Sequence, residues 1–131
     1  MQPAARRPCV LIICTEYILY EWLAGHLAEN VGLIATSNFW LAAEVTEQLS
    51  GSGSSNLKLV MIDMPADEEV TSEMYAAVRR SYHGLIAGIT RGHDSQRQLM
   101  DFGAGIVLEL DRALVQNTVA ALTRCSQAPV Y

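Results

Sequence analysis

Short, continuously apolar runs alternate along the chain with longer stretches in which apolar positions recur every three or four residues. Val10-Leu11-Ile12-Ile13 is uninterrupted and rich in β-branched side chains. Such a run predicts a strand covered on both faces, as in a parallel sheet. Thr15 or Glu16 then opens a helical stretch. In it, Ile18 with Trp22, and Leu19 with Leu23 and Leu27, stand at i, i+4 and form one stripe. Asn30 and Gly32 are its expected end.

The alternation continues to the end of the chain. Leu33 to Thr36 is a second, weaker strand, and Ser37 or Asn38 can cap a helix with Leu41, Val45 and Leu49 turned inward. Gly51-Ser52-Gly53-Ser54-Ser55 reads as a flexible surface loop. Leu57 to Ile62 is a third strand ending at Asp63, and Met64-Pro65 redirects the chain. Asp67-Glu68-Glu69 suits the first turn of a helix, where acids meet the positive end of the macrodipole, and Val70, Met74, Ala77 and Val78 form its stripe. Gly84 to Ile89 is a fourth strand ending at Thr90. Asp94 caps a short helix through Phe102, which Gly103 terminates. Ile106-Val107-Leu108 is a fifth strand. Asp111 caps a last helix with Leu114, Val115, Val119 and Leu122 inward, and Pro129 lies beyond its end.

Five strands alternating with five helices imply right-handed crossovers and an α/β sandwich, a doubly wound parallel sheet with helices on both faces. The 131 residues suit one domain, here 1–125, with 126–131 read as the start of a linker or tail. Half of the residues are hydrophobic and 18% are charged, enough apolar material for a core. The net charge is −5, from nine basic and fourteen acidic residues, and the densest basic spot is Arg6-Arg7. A phosphate-gripping surface needs the opposite balance, so direct nucleic-acid binding by this segment is not expected. No run approaches the roughly 20 apolar residues that span a bilayer. Cys9, Cys14 and Cys125 lack metal-ligand spacing, and Cys9 and Cys14 lie in or beside an apolar strand. They read as free thiols of a cytoplasmic protein. His26, His83 and His93 are far apart and lack partners at metal spacing.

In an open α/β sheet, chemistry gathers at the carboxyl ends of the strands. Those ends are Cys14-Thr15-Glu16, Asp63, Thr90-Arg91 and Glu109-Leu110-Asp111. They contain no Gly-rich phosphate loop, no nucleophile elbow and no dinucleotide fingerprint. An enzyme is therefore not expected, and no metal or cofactor is implied. Read by themselves, Asp63 is a strand-end residue that can cap the next turn, and Thr90 a strand-end hydroxyl satisfying backbone groups.

An apolar strand ending in Asp63 with a nearby Met64-Pro65, a strand ending in Thr90, and a short helix closing at Gly103-Ala104 before one more strand together resemble the receiver domains of bacterial response regulators. The resemblance spans almost the whole chain in element order. It implies a flavodoxin-like (βα)5 fold of strand order 2-1-3-4-5, with Asp63 at the phospho-acceptor position and Thr90 at the phosphoryl-sensing Ser/Thr. It also implies departures. Two acids that would hold Mg²⁺ are replaced by Cys14-Thr15, with Glu16 one place later; the usual lysine aligns with Leu110, and the aromatic switch residue with Val107. Phosphoryl transfer to a carboxylate gathers negative charge that a divalent cation and a cationic side chain offset. A thiol, a hydroxyl and a leucine do not. The expectation is an atypical receiver, or pseudo-receiver, that serves as a signal-input and protein-interaction or dimerisation module. The resemblance suggests the N-terminal regulatory part of a bacterial transcription regulator, acting without Mg²⁺-dependent phosphorylation. The alternatives are a working phospho-receiver of a two-component system that uses Glu16 and Asp63, and a small-molecule or nucleotide-binding module on the same fold. For a protein partner or a second copy, the candidate surfaces are the aromatics Tyr17, Tyr20 and Trp40, which do not all fit inner faces, and the small residues Ala113, Val115, Ala120 and Ala121 of the last helix. Trp22 fits the core stripe.

Overall fold

The computed structural model describes residues 9–14, 17–27, 32–37, 39–51, 57–63, 68–90, 96–109 and 113–126. The chain runs β1 (Cys9–Cys14), α1 (Tyr17–Leu27), β2 (Gly32–Thr36), α2 (Phe39–Gly51), β3 (Leu57–Asp63), α3 (Glu68–Arg79), β4 (Leu85–Thr90), α4 (Gln96–Phe102), β5 (Ile106–Glu109) and α5 (Leu114–Ser126). The strands form one sheet in the order β2-β1-β3-β4-β5, and every pair is parallel. This is the doubly wound, flavodoxin-like arrangement that the alternation and the resemblance predicted.

Alternation along the strands divides the core in two. Val10, Ile12, Cys14, Leu59, Met61, Ala87 and Ile89 face Leu19 and Leu23 of α1 and Leu114, Ala121 and Leu122 of α5. Leu11, Ile13, Val60, Ile62 and Ile86 face Met74, Tyr75 and Val78 of α3 and Leu99 of α4, with Val45 of α2 at the margin. Because both faces are covered, consecutive residues are apolar, which is why these strands read as uninterrupted runs.

The helices correct several expectations. Gly32 does not end α1 but begins β2. Leu41, Val70 and Val119 were expected to point inward and are 49%, 38% and 45% exposed. In α3 the buried positions are Thr71, Met74, Tyr75 and Val78, a stripe rotated toward the residue after Val70. In α5 they are Leu114, Thr118, Ala121 and Leu122, so Ala121 belongs to the core and not to an outward small-residue surface. Thr118 is accommodated because its Oγ1 donates to the Leu114 carbonyl one turn back, at 2.7 Å. Trp22 is half-buried against the first cluster, as its stripe predicted. Gly51 closes α2; the rest of the Gly-Ser stretch, the Asp94 and Asp111 caps, and the tail after Ser126 lie outside the described residues.

Two local devices hold β4 and β5 in place. At the end of α3, Arg79 donates through Nη1 to the carbonyls of Tyr82 (3.0 Å) and Gly84 (2.8 Å), and the Tyr82 hydroxyl donates to Leu85 (3.0 Å). These bonds fix where the chain enters β4. At the end of α4, Gly103 N–H donates to Met100 and Ala104 N–H to Leu99, at 3.1 and 3.0 Å. Those are the two bonds of a Schellman cap, completed by the apolar pair Leu99 and Ala104 in one core cluster. The φ of Gly103 is +126°, a backbone that side-chain-bearing residues rarely adopt. Gly103→Ala is therefore expected to cost about 1–3 kcal/mol in denaturant unfolding although open space surrounds the new methyl group. Among the described residues, no helix is long and apolar enough to cross a membrane.

Candidate functional site

The carboxyl ends of the strands bring Cys14, Asp63 and Thr90 to one edge of the sheet. Cys14 and Asp63 are in direct register on neighbouring strands β1 and β3. Thr90 ends β4 and pairs with Glu109, the last residue of β5. All three predicted residues are buried, Asp63 with 1% of its surface exposed. Thr15, Glu16, Leu110 and the Met64-Pro65 step lie outside the described residues. Gln96, at the start of α4, donates to Glu109 Oε1 at a long 3.5 Å and spans the top of the α4–β5 seam.

The chain has a single lysine, Lys58, and it is the second residue of β3, whose last residue is Asp63. Five residues of extended strand separate them by about 16 Å, beyond the reach of a lysine side chain. Cys14, in register with the carboxylate, is a buried thiol outside any disulfide. At the other end of β1, burial pushes the Cys9 thiol up from its ordinary range, away from thiolate reactivity. Among the described residues, no three His, Cys, Asp or Glu side chains converge as a metal-binding group. His26 is exposed on α1, where its Nδ1 bonds the Trp22 carbonyl at 2.8 Å and its ring meets the Trp22 ring edge-on. It is thus a local structural residue, and His83 is exposed.

One level below Asp63 runs a row of registered residues, Ile13, Ile62, Gly88 and Val107. Val107, aligned with the aromatic switch position, is half-buried there and packs against the cluster formed with α3 and α4. Beneath Gly88 sits a residue that sequence reasoning missed. Tyr75 of α3 is buried to 1% exposure, and a Cβ added at Gly88 would stand 2.6 Å from its hydroxyl oxygen. Burial pushes its phenol well above the ordinary tyrosine range, and the negative charge of Asp63 pushes it further. One signal in the sequence pointed near it: a lone glycine inside an apolar strand marks the close approach of another group.

No family model matches the chain, and no curated protein matches it in sequence. Solved structures match it closely in fold. A CheY-like protein (tadZ) from Pseudomonas aeruginosa superposes with a TM-score of 0.73 at 11% identity, over 95% of this chain and 98% of that one. A response regulator from Thermotoga maritima gives 0.71 at 13% identity, over 89% and 98%. A two-component response regulator from Clostridium difficile gives 0.70 at 16% identity, over 93% and all of its own chain. At such identities the likeness speaks for architecture. With the strand order β2-β1-β3-β4-β5 and these superpositions in agreement, the fold of this chain is that of the response-regulator receiver domains.

Proposed function

We propose that the chain is an atypical receiver: a non-catalytic signal-input and protein-interaction domain that works without conventional Mg²⁺-dependent phosphorylation of Asp63. The observation that carries this reading is the charge arrangement at the acceptor position. Asp63 is buried, its registered neighbour on β1 is the thiol of Cys14, and the one lysine of the chain stands at the far end of the same strand. A phosphoryl group joined there would replace the single charge of a buried carboxylate with the roughly two of an acyl phosphate. The acidic pair that holds Mg²⁺ and the lysine that meets the phosphoryl oxygens are what make that step favourable. Cys14-Thr15 and Leu110 supply neither. Signal passage then depends on contacts of the domain with a protein partner or a second copy. Met100 on α4 and Val119 on α5 are exposed apolar side chains on the two helices that flank β5. By analogy of fold, the domain is the regulatory part of a transcription regulator.

Incubation with Mg²⁺ and acetyl phosphate, followed by intact-mass measurement, tests the reading. The expected result is an unchanged mass. A stoichiometric gain of one phosphoryl group that Asp63→Asn abolishes would establish a working acceptor site instead.

A further inference from the structure

We propose that the foot of β3 carries a register device: a bulge at Leu57–Lys58 absorbs one surplus residue, so that the core above it can hold Asp63 beside Cys14. The inference rests on reading the strand ends as the site, but it concerns only where the carboxylate stands and does not require phosphorylation. Cys9 is in register with Leu57, yet Val10, the next residue of β1, is in register with Leu59. Lys58 is left over, and two residues of β3 oppose one of β1, as in a β-bulge. The side chains record the same step. Leu59 and Met61 belong to the cluster under α1 and α5, and Val60 and Ile62 to the cluster under α3 and α4. Regular alternation would put Leu57 on the face of Leu59. Instead Leu57 packs against the cluster under α3 and α4.

No unbroken ladder satisfies both ends of the strand. If the register of the foot, Cys9 with Leu57, ran upward, Ile62 would stand beside Cys14 and Asp63 would pass beyond it. The same slip would turn every upper side chain of β3 to the opposite face, against the packing of both clusters. If the register of the top, Val10 with Leu59, ran downward, Lys58 would stand opposite Cys9 on the face of Val60 and Ile62. An ammonium group would then take the place that Leu57 fills, and its burial is costly. The bulge avoids both. It leaves Lys58 half-buried at the foot of a strand that is buried from Leu59 to Asp63. It also lies below the described β3–β4 ladder, which begins at Leu59, so one strand pair takes up the irregularity.

Deletion of Lys58 is the test. With the surplus residue gone, Leu57 drops into the slot opposite Cys9 on the face it already occupies, and the ladder closes. The deletion variant is expected to keep the cross-strand NMR contacts between the backbones of Cys14 and Asp63. Its urea midpoint is expected to be no lower than that of the natural chain. Contacts of Cys14 with Ile62 in place of Asp63 would overturn the proposal, and so would a lowered midpoint or a variant that does not fold. The natural chain gives an independent reading. The Leu57 methyls are expected to show contacts with methyls of the cluster under α3 and α4, and none with Leu23 or Leu122 on the other face. The reverse pattern would mean that β3 has no bulge. None of these outcomes depends on whether acetyl phosphate modifies Asp63.

Discussion

Leu23→Ala is expected to lower the unfolding free energy by about 3–5 kcal/mol. Leu23 is fully buried in the middle of α1, inside the cluster that joins β1, β3 and α5. Truncation removes buried methyl groups from contact and leaves a cavity whose walls belong to three different elements, so collapse around it is limited. A domain of this size has roughly 5–15 kcal/mol in total, and the loss is a large part of it. Urea unfolding would show it as a lower midpoint at an unchanged slope. Leu41→Ala is the informative comparison. Both leucines fit an i, i+4 stripe, yet Leu41 is 49% exposed and its truncation is expected to cost about 0.5 kcal/mol or less. Equal losses from the two variants would contradict the assignment of the inner face of α2.

The second large effect is expected at Gly88. An alanine there places Cβ 2.6 Å from the Tyr75 hydroxyl and 3.1 Å from Leu99. The phenol is the far end of a side chain, but the ring is buried and hemmed in by Phe102 and the sheet, so it cannot swing aside freely. Overpacking of this kind costs about 1–3 kcal/mol. Tyr75→Phe removes the obstructing atom and a buried hydroxyl that has no partner. By itself it is expected to be neutral or stabilising. In combination it is expected to return about 1 kcal/mol of the Gly88→Ala loss, a coupling that a double-mutant cycle measures. Strict additivity of the two substitutions would mean that the hydroxyl is not what the new methyl meets.

The strands of this protein were legible because a parallel sheet buries both faces. Val10 to Ile13 and Leu57 to Ile62 need no periodicity to be recognised, and their polar ends, Cys14-Thr15 and Asp63, mark the edge where a site assembles. The strand order followed from the alternation together with the resemblance to receivers. The helix faces were less legible. In α3, Val70, Met74 and Val78 make one apolar stripe, while Thr71, Met74, Tyr75 and Val78 make another that shares two members. Hydropathy prefers the valine. Packing prefers the threonine, whose methyl fills space and whose hydroxyl can be satisfied locally within a helix. Val119 and Thr118 repeat the same exchange in α5.

Order and class of the elements were thus properties of the chain alone, because they arise from neighbours within one strand or one helical turn. The composition of the site was a property of the folded sheet. Which thiol stands beside Asp63, how far Lys58 lies from it, and which aromatic ring fills the gap left by Gly88 are set by register between strands and by the seating of α3 and α4. Register and seating depend on the joint packing of residues distant in sequence, and local periodicity carries no record of them.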